Sequence, residues 1–420
     1  MRILFIHQNF PGQFRHTAPA LAQQGHQVLA LRVQQSPQEK PVVWLGVRVL
    51  PYRLEGANVR GLHPWLTDIE TKTLRATACW KACRELRAQG WQPDVIVAHP
   101  GWGEPLFAKN VWPRAKLGLY AEMFYQPEGA DSGFDPEFER EDPEQQACRL
   151  QMKNLNNLAH LPLADGLLSP TCWQADTFPA PWREKVTIAH DGIDTDQLAP
   201  DPLARLNLPD GLGSVTRQDE VITFVARHLE PYRGFHIFMR ALPALLSARP
   251  NARVLIVGDD DKGYGAQPPK GTTWRELFCS EVRDAIPDTD WQRVHFLGRL
   301  ERDDFTRLLQ VSTVHIYLSY PFVLSWSLIE AMSVGCAIVA SDTAPVREAI
   351  VDGEHGRLID FFDVNGLATT IAGLANDAPQ RERLGRQARA RAVAGYDLKR
   401  VCLPRQLDWI KSLASRPTGA

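Results

Sequence analysis

The chain has 420 residues, 44% of them hydrophobic and 23% charged, with a formal net charge of −2. That length suits two domains with ample core, and the near-neutral charge leaves no global field to attract nucleic acid or an anionic membrane. No apolar run approaches membrane-spanning length, so a soluble chain is expected, with peripheral membrane contact still open to it. Ile3–Ile6 is a short β-leaning run, and Met1–His7 turns polar too soon for a signal peptide. His7-Gln-Asn-Phe-Pro-Gly-Gln13 follows, then a helical pattern to about Gln24, Gly25 and a strand over Gln27–Leu31. This is a βαβ opening whose Gly loop lies at a strand's carboxyl end, where open α/β sheets bind ligands. For Pro11-Gly12 a plain tight turn is the alternative.

Residues 32–66 are rich in Pro and Gln and suggest no element. A helix is expected over 68–89, then a buried strand ending at Ala98 before His99-Pro-Gly-Trp-Gly-Glu104. Lys116–Ala121 is the next strand and leads into Glu122. Glu128–Glu144 is acidic, Gly/Pro-rich and without apolar period, which predicts a mobile surface loop. A helix over 143–160 and strands at Gly166–Ser169 and Val186–His190 complete the first half. The Pro-, Gly- and Asp-rich stretch 195–218 is the best linker, and the domain boundary is expected there, with domains over 1–197 and 198–396.

The second half restarts the alternation. Strand Val221–Val225 leads into Ala226-Arg-His-Leu-Glu-Pro-Tyr-Arg-Gly234 and an amphipathic helix over 235–248. Strand Arg253–Val257 runs into Gly258 and Asp259–Asp261. A helix over 274–285, strand Val294–Leu297 with Gly298-Arg-Leu300, helix 302–310 and strand Val314–Leu318 follow. Val346–Val351, helices over 364–376 and 380–394, and a last helix over 397–414 end the pattern. Residues 415–420 are expected to be disordered. Two doubly wound α/β halves with ligand loops at strand carboxyl ends result.

Seven cysteines are scattered without C-x-x-C pairs, which fits a reducing, cytoplasmic setting. Cys79 and Cys83 stand at i,i+4 in a helical stretch with no second pair, so helix packing is favoured over a metal site. Asp259–Asp261 has the look of a D-x-D metal motif, but its place after Val257-Gly258 in the second α/β half favours a polar loop. No metal and no cofactor are expected. Arg227 and Arg233 fall between a buried strand and a helix start, where guanidinium groups suit bidentate phosphate contact. A surface ion pair with Glu230 is the alternative.

Ser319–Ser341 organises the second half. Tyr320-Pro321 ends a strand, Ser327 with Glu330 forms a capping-box pattern, Gly335 suits a helix C-terminus, and Cys336–Ala340 is a buried strand. Glu330-Ala-Met-Ser-Val-Gly-Cys-Ala-Ile-Val-Ala-Ser-Asp342 resembles the end of the E-x7-E signature of family-4 retaining glycosyltransferases (glycosyl transferases group 1), and Asp191-Gly-Ile-Asp194 resembles their N-G-V-D turn. The resemblance implies the GT-B fold, two Rossmann-like domains facing an interdomain cleft, the last helix crossing back to the first domain. It implies donor ribose binding by Glu330 and diphosphate binding by Arg227 and Arg233. Gly12 and the backbone or hydroxyls of Ser325, Trp326 and Ser327 would lie near the phosphates, with Gly258 and Leu300 along the base. For Trp326 a core position is the alternative.

The first Glu of the signature falls on Phe322. Where the family usually has a His on the N-terminal side, this chain has Glu122, a candidate to compensate, with His99 ending the neighbouring strand. The expected activity is metal-independent, retaining transfer from a UDP- or GDP-sugar to an unidentified acceptor, in surface polysaccharide, glycolipid or glycoprotein synthesis. The alternatives are a non-catalytic sugar-nucleotide-binding partner subunit and a GT-B-fold sugar-nucleotide epimerase.

Overall fold

The computed structural model describes residues 1–56, 59–138, 142–209, 211–261 and 263–415. The chain forms two compact units. Unit 1 comprises Met1–Glu128, Arg140–Asp191 and Lys399–Ala420, and unit 2 comprises Gly129–Glu139 and Gly192–Leu398.

Unit 1 contains β1 (Arg2–Ile6), β2 (Gln27–Val33), β3 (Val42–Trp44), β4 (Val47–Tyr52), β5 (Val95–Ala98), β6 (Lys116–Tyr120), β7 (Gly166–Ser169) and β8 (Val186–Ile188). They lie in the order β3-β4-β2-β1-β5-β6-β7-β8, parallel except where β3 returns against β4. The runs Ile3–Ile6 and Val95–Ala98 are apolar throughout because helices cover both faces of a parallel sheet. Leu4, Ile6, Leu29, Leu31 and Ile96 face one core cluster with Cys79 and Cys83 of helix Pro64–Ala88. Ile3, Phe5, Val95 and Val97 face the other, filled by Trp409, Ile410 and Leu413 of helix Leu403–Ala414. The unassigned stretch 32–66 thus contains a strand hairpin at the sheet edge. The helix expected from 68 begins at Pro64, capped by the His63 side chain accepting from the Trp65 N–H.

Unit 2 opens with a small hairpin, β9 (Arg205–Asn207) against β10 (Ser214–Thr216). Its parallel sheet comprises β11 (Val221–His228), β12 (Arg253–Asp259), β13 (Val294–Gly298), β14 (Val314–Tyr317), β15 (Ile338–Ser341) and β16 (Arg357–Ile359), ordered β13-β12-β11-β14-β15-β16. Ile222, Phe224, Val254 and Ile256 pack with Phe235, Phe238 and Leu242 of helix Phe235–Ala248, while Ile338 and Ala340 pack with Leu328 and Met332 of helix Trp326–Val334.

Two expectations are corrected, and the stretch Val346–Val351, given no element type from sequence, is resolved. The linker 195–218 is largely folded: Ala204, Leu206, Leu208 and Val215 bury against Val221, Leu255 and Leu308, so its turn residues punctuate a hairpin. Residues 344–349 form a helix, and β16 had no apolar signature because its residues are only half buried. The segment 129–138 is not a mobile surface loop. It packs on unit 2 through Phe134 and Phe138, with Asp135 buried, and its anchors are single aromatic and acidic residues rather than a periodic stripe. Of the stretch expected to be disordered, 416–420 lies outside the described residues. No helix among the described residues is long and apolar enough to cross a membrane.

Gly118 of β6 tests how the last helix is seated. A Cβ there would come 2.5 Å from Leu413 Cδ1 and 2.7 Å from the Trp409 ring. Gly118→Ala is expected to destabilise the protein by about 1–3 kcal/mol through overpacking, measured by urea denaturation. An unchanged midpoint would place that helix elsewhere.

Candidate active site

In unit 2 the polar groups gather at the carboxyl ends of β11, β12 and β14, because parallel strands buried on both faces leave side-chain chemistry to their loops. Arg227 lies near the end of β11, is exposed, and makes no hydrogen bond or ion pair among the described residues. Arg233 ends the short turn Pro231–Arg233. Its Nη1 donates to Ser319 Oγ at 2.8 Å and to the Val323 carbonyl at 3.5 Å, which leaves its other N–H donors unused. The next residue, Gly234, has φ +67°, and a Cβ there would lie 2.3 Å from Leu318 Cβ, so only glycine lets the turn close on the loop after β14. Glu230 is not the ion-pair partner of either arginine. It is buried, and its Oε2 accepts the Tyr264 N–H at 2.8 Å and the Gly265 N–H at 3.3 Å. Burial pushes its carboxyl above the usual range.

Helix Trp326–Val334 begins two residues earlier than a Ser327–Glu330 capping box requires. Ser325 is the N-cap, its side chain accepting from the Ser327 N–H at 3.3 Å, and the first turn holds no acid. Ser327 Oγ instead shares a 2.9 Å hydrogen bond with Ser325 Oγ. Glu330 sits one turn in, buried, with Arg302 Nη1 2.5 Å from Oε1. Trp326 is half buried against the core around Leu328 and Met332. Phe322 stands 5.2 Å edge-on from Tyr232 and 5.2 Å from Tyr264, and the Arg233 guanidinium carbon is 5.8 Å from the Tyr264 and Phe322 rings.

Gly258 lies where a Cβ would meet the Ala226 carbonyl oxygen at 2.8 Å, and Leu300 packs on the β9–β10 core. The three consecutive acids are each held by a cation. Asp259 bonds His228 and Arg299, Asp260 is 2.7 Å from Arg275, and Asp261 is 3.2 Å from Arg299.

Unit 1 has its own polar group at the carboxyl ends of β1, β5 and β6. His99, after β5, is buried; its Nδ1 accepts the Gly101 N–H at 3.1 Å, so Nε2 carries the proton and lies 3.5 Å from Glu122 Oε2. His7, after β1, shares a 2.8 Å hydrogen bond with Gln13 Oε1, and Gln13 Nε2 donates to Glu122 Oε1 at 3.5 Å. Trp102 meets the His7 imidazole edge-on at 4.8 Å and lies tilted against that of His99 at 4.6 Å. Gly12 has φ +47°, and a Cβ there would lie 2.4 Å from the His7 ring. Burial acts to raise the Glu122 carboxyl, but the hydrogen bond and charge of His99, the His7 charge and the Gln13 amide outweigh it and hold it below its usual range. His7 is pushed down to about 4 by burial and then by His99.

Residues 24–198 match the Glycosyl transferase family 4 group, and residues 214–391 match Glycosyl transferases group 1. The two halves of the chain thus match glycosyltransferase families, the second half that of group 1. Among curated relatives it is 30% identical over 212 residues to a phosphatidyl-myo-inositol mannosyltransferase of Mycolicibacterium smegmatis, covering 49% of this chain and 47% of that one. It is 27% identical over 246 residues to a D-inositol 3-phosphate glycosyltransferase of Streptomyces avermitilis, 56% and 49% of the two chains. The matches thus span about half the length of these relatives. Sucrose-phosphate synthase of Thermosynechococcus elongatus superposes with a TM-score of 0.70 at 16% identity, covering 99% of this chain and 100% of that one. Anabaena HepE in complex with UDP-glucose does so with 0.67 at 17%, over the same shares. These neighbours identify the fold as GT-B.

Of the unit 2 residues singled out from sequence, Arg227 lies near the end of β11 and Arg233 in the turn after it, Gly258 lies on β12, and Ser325, Trp326, Ser327 and Glu330 lie at or in helix Trp326–Val334, while His99 and Glu122 lie together in unit 1. Sequence reasoning missed Ser319, Arg302, Gln13 and His7. The first two are ordinary polar residues that gain meaning only from what they bond. His7 stood in the first loop without a partner to mark it.

His7 supplies a prediction about pH. Its folded value of about 4 lies below its ordinary 6.5. Between these the unfolded chain takes up a proton that the folded protein refuses. Its contribution to stability is therefore complete above pH 6.5 and lost as pH falls toward 4. NMR titration should show the His7 imidazole neutral at pH 6 and titrating near 4; a midpoint near 6.5 would mean that it is solvated.

Proposed function

We propose that this chain is a retaining glycosyltransferase that works without a metal on a nucleotide diphosphate sugar, UDP- or GDP-linked. The observation that carries the reading is the pair Arg227 and Arg233 at the carboxyl end of β11: Arg227 makes no hydrogen bond or ion pair among the described residues, and Arg233 commits only Nη1, to Ser319 and Val323 just before the helix that Ser325 caps. Fixed guanidinium groups and a helix N-terminus stabilise the charge that grows on a departing diphosphate, as a divalent ion would. HepE, a neighbour in fold, has been solved with UDP-glucose, which supports UDP as the first donor to try.

In this reading the bond from the anomeric carbon to the β-phosphate oxygen breaks while the acceptor oxygen bonds to the same face of that carbon. The acceptor's proton passes to the departing phosphate, so no strong enzymic base is needed. Glu330 Oε1 is taken by Arg302, and the remaining oxygen is assigned to the ribose hydroxyls. Glu122, kept ionised by His99 and Gln13, is assigned to sugar hydroxyls on the unit 1 side. The curated relatives act on inositol-containing acceptors by name, which makes polyol and glycolipid acceptors the first candidates. Seven free cysteines suit a cytoplasmic setting.

A second reading has its own observation. Phe322 offers no hydrogen bond to a donor sugar, as a sugar-nucleotide binder without turnover would tolerate. Nucleotide release on an acceptor panel separates the two: tight UDP-sugar binding with no release on any acceptor favours the binder.

Arg233→Ala and Arg227→Ala are each expected to weaken UDP binding by about 1–3 kcal/mol, the range for hydrogen bonds to charged groups, measured by calorimetry. Unchanged affinity would remove them from the site. Glu330→Gln should reduce affinity for UDP more than for a ribose-free diphosphate; equal losses would leave Glu330 a partner of Arg302 only. Transfer should persist in EDTA, and loss that Mn²⁺ restores would return the Asp259–Asp261 loop to consideration as a metal site.

A further inference from the structure

Residues 129–138 fall in sequence between two stretches of unit 1, yet they fold on unit 2. Their contacts converge on the two loops that hold Arg233. Asp131 accepts a hydrogen bond from the Tyr232 hydroxyl, one residue from Arg233. Asp135 Oδ2 accepts from the Tyr320 hydroxyl at 2.7 Å, one residue from the Ser319 that bonds Arg233, and lies 3.0 Å from His236 Nε2. The Tyr232 and Tyr320 rings are 4.7 Å apart, so the two loops also touch each other.

Around these two carboxylates the segment is riveted. Phe134 packs at 5.1 Å on Tyr320 and 5.2 Å on Phe361, and Phe138 packs at 5.1 Å on His236 and 5.2 Å on Trp274. Glu137 makes a bidentate pair with Arg240, both contacts at 2.7 Å. Asp135 is only 4% exposed, and a carboxylate withdrawn from water needs such partners to be tolerated. A connecting turn with no further task requires none of this.

We propose that 129–138 is a strap, and that Asp131 and Asp135 are positioning residues that fix Pro231–Arg233 and Ser319–Val323 so that the free N–H donors of Arg233 keep one orientation. The identity of the anion rests on the nucleotide-sugar reading above; the holding of the loops does not.

The test uses the full chain with Tyr320→Phe, Asp135→Asn and Asp131→Asn, read by hydrogen exchange and by UDP calorimetry. Tyr320→Phe keeps the ring and removes only the hydroxyl, so it serves if an aspartate variant does not fold. Faster exchange is expected at 231–234 and 319–325 but not in β11 or β14. UDP binding should weaken about threefold to tenfold, the range for one hydrogen bond. In turnover the donor KM should rise while kcat changes little. Unchanged exchange and affinity in Tyr320→Phe and Asp131→Asn would overturn the proposal. So would a rise spread evenly over unit 2, which would make the segment a general support. If the wild-type chain binds no UDP- or GDP-sugar, the donor reading fails and the exchange results still decide the strap.

Discussion

Unused hydrogen-bond donors on fixed cations are the feature on which the rest of unit 2 turns. A guanidinium carries five N–H donors and stays charged at any physiological pH, so donors that the protein leaves unpaired stay open to water or to an anion. Arg227 and Arg233 present such donors at the carboxyl end of β11, and neighbouring groups orient Arg233. Ser319 and Val323 orient Arg233, Gly234 permits the close turn, and Glu230 spends its carboxylate on the Tyr264–Gly265 backbone. Nearby acids that might neutralise the arginines are occupied: Asp259 and Asp261 with Arg299, and Asp260 with Arg275.

Unit 1 solves a different problem. Its candidate residues are a lowered carboxylate and two buried imidazoles wedged among Trp102 and Tyr120. Such a group suits the recognition of hydroxyls. It also shows why Gly12 is glycine for a reason other than phosphate contact, since the His7 ring fills the space a side chain would take.

The βαβ alternation and the helices over 143–160 and 235–248 were legible because they rest on local patterns: apolar runs and helical period. The helix start at Trp326 was misplaced by two residues because two serines two apart compete for the same cap, and only the bond from the Ser327 N–H to Ser325 Oγ decides between them. The hairpin in 195–218 and the strap at 129–138 were illegible for a shared reason. Each buries a few isolated side chains against distant elements, and neither produces a period. Phe322 was visible as a departure from the family pattern, but the ring cluster with Tyr232 and Tyr264 depends on a loop held by Glu230, 34 residues before Tyr264 in sequence.

The strap also limits how the molecule can be divided. A fragment starting at Gly192 would contain all six strands of the second sheet and still lack a piece of its own core. The sockets that receive Phe134 and Phe138, formed by Tyr320, Phe361, His236 and Trp274, would open to water, and Arg240 would lose one of its two acidic partners. Exchanging second halves between related chains by one crossover at the apparent boundary would therefore leave a foreign strap on a native socket. A working chimera needs a second splice, inside the other half's sequence.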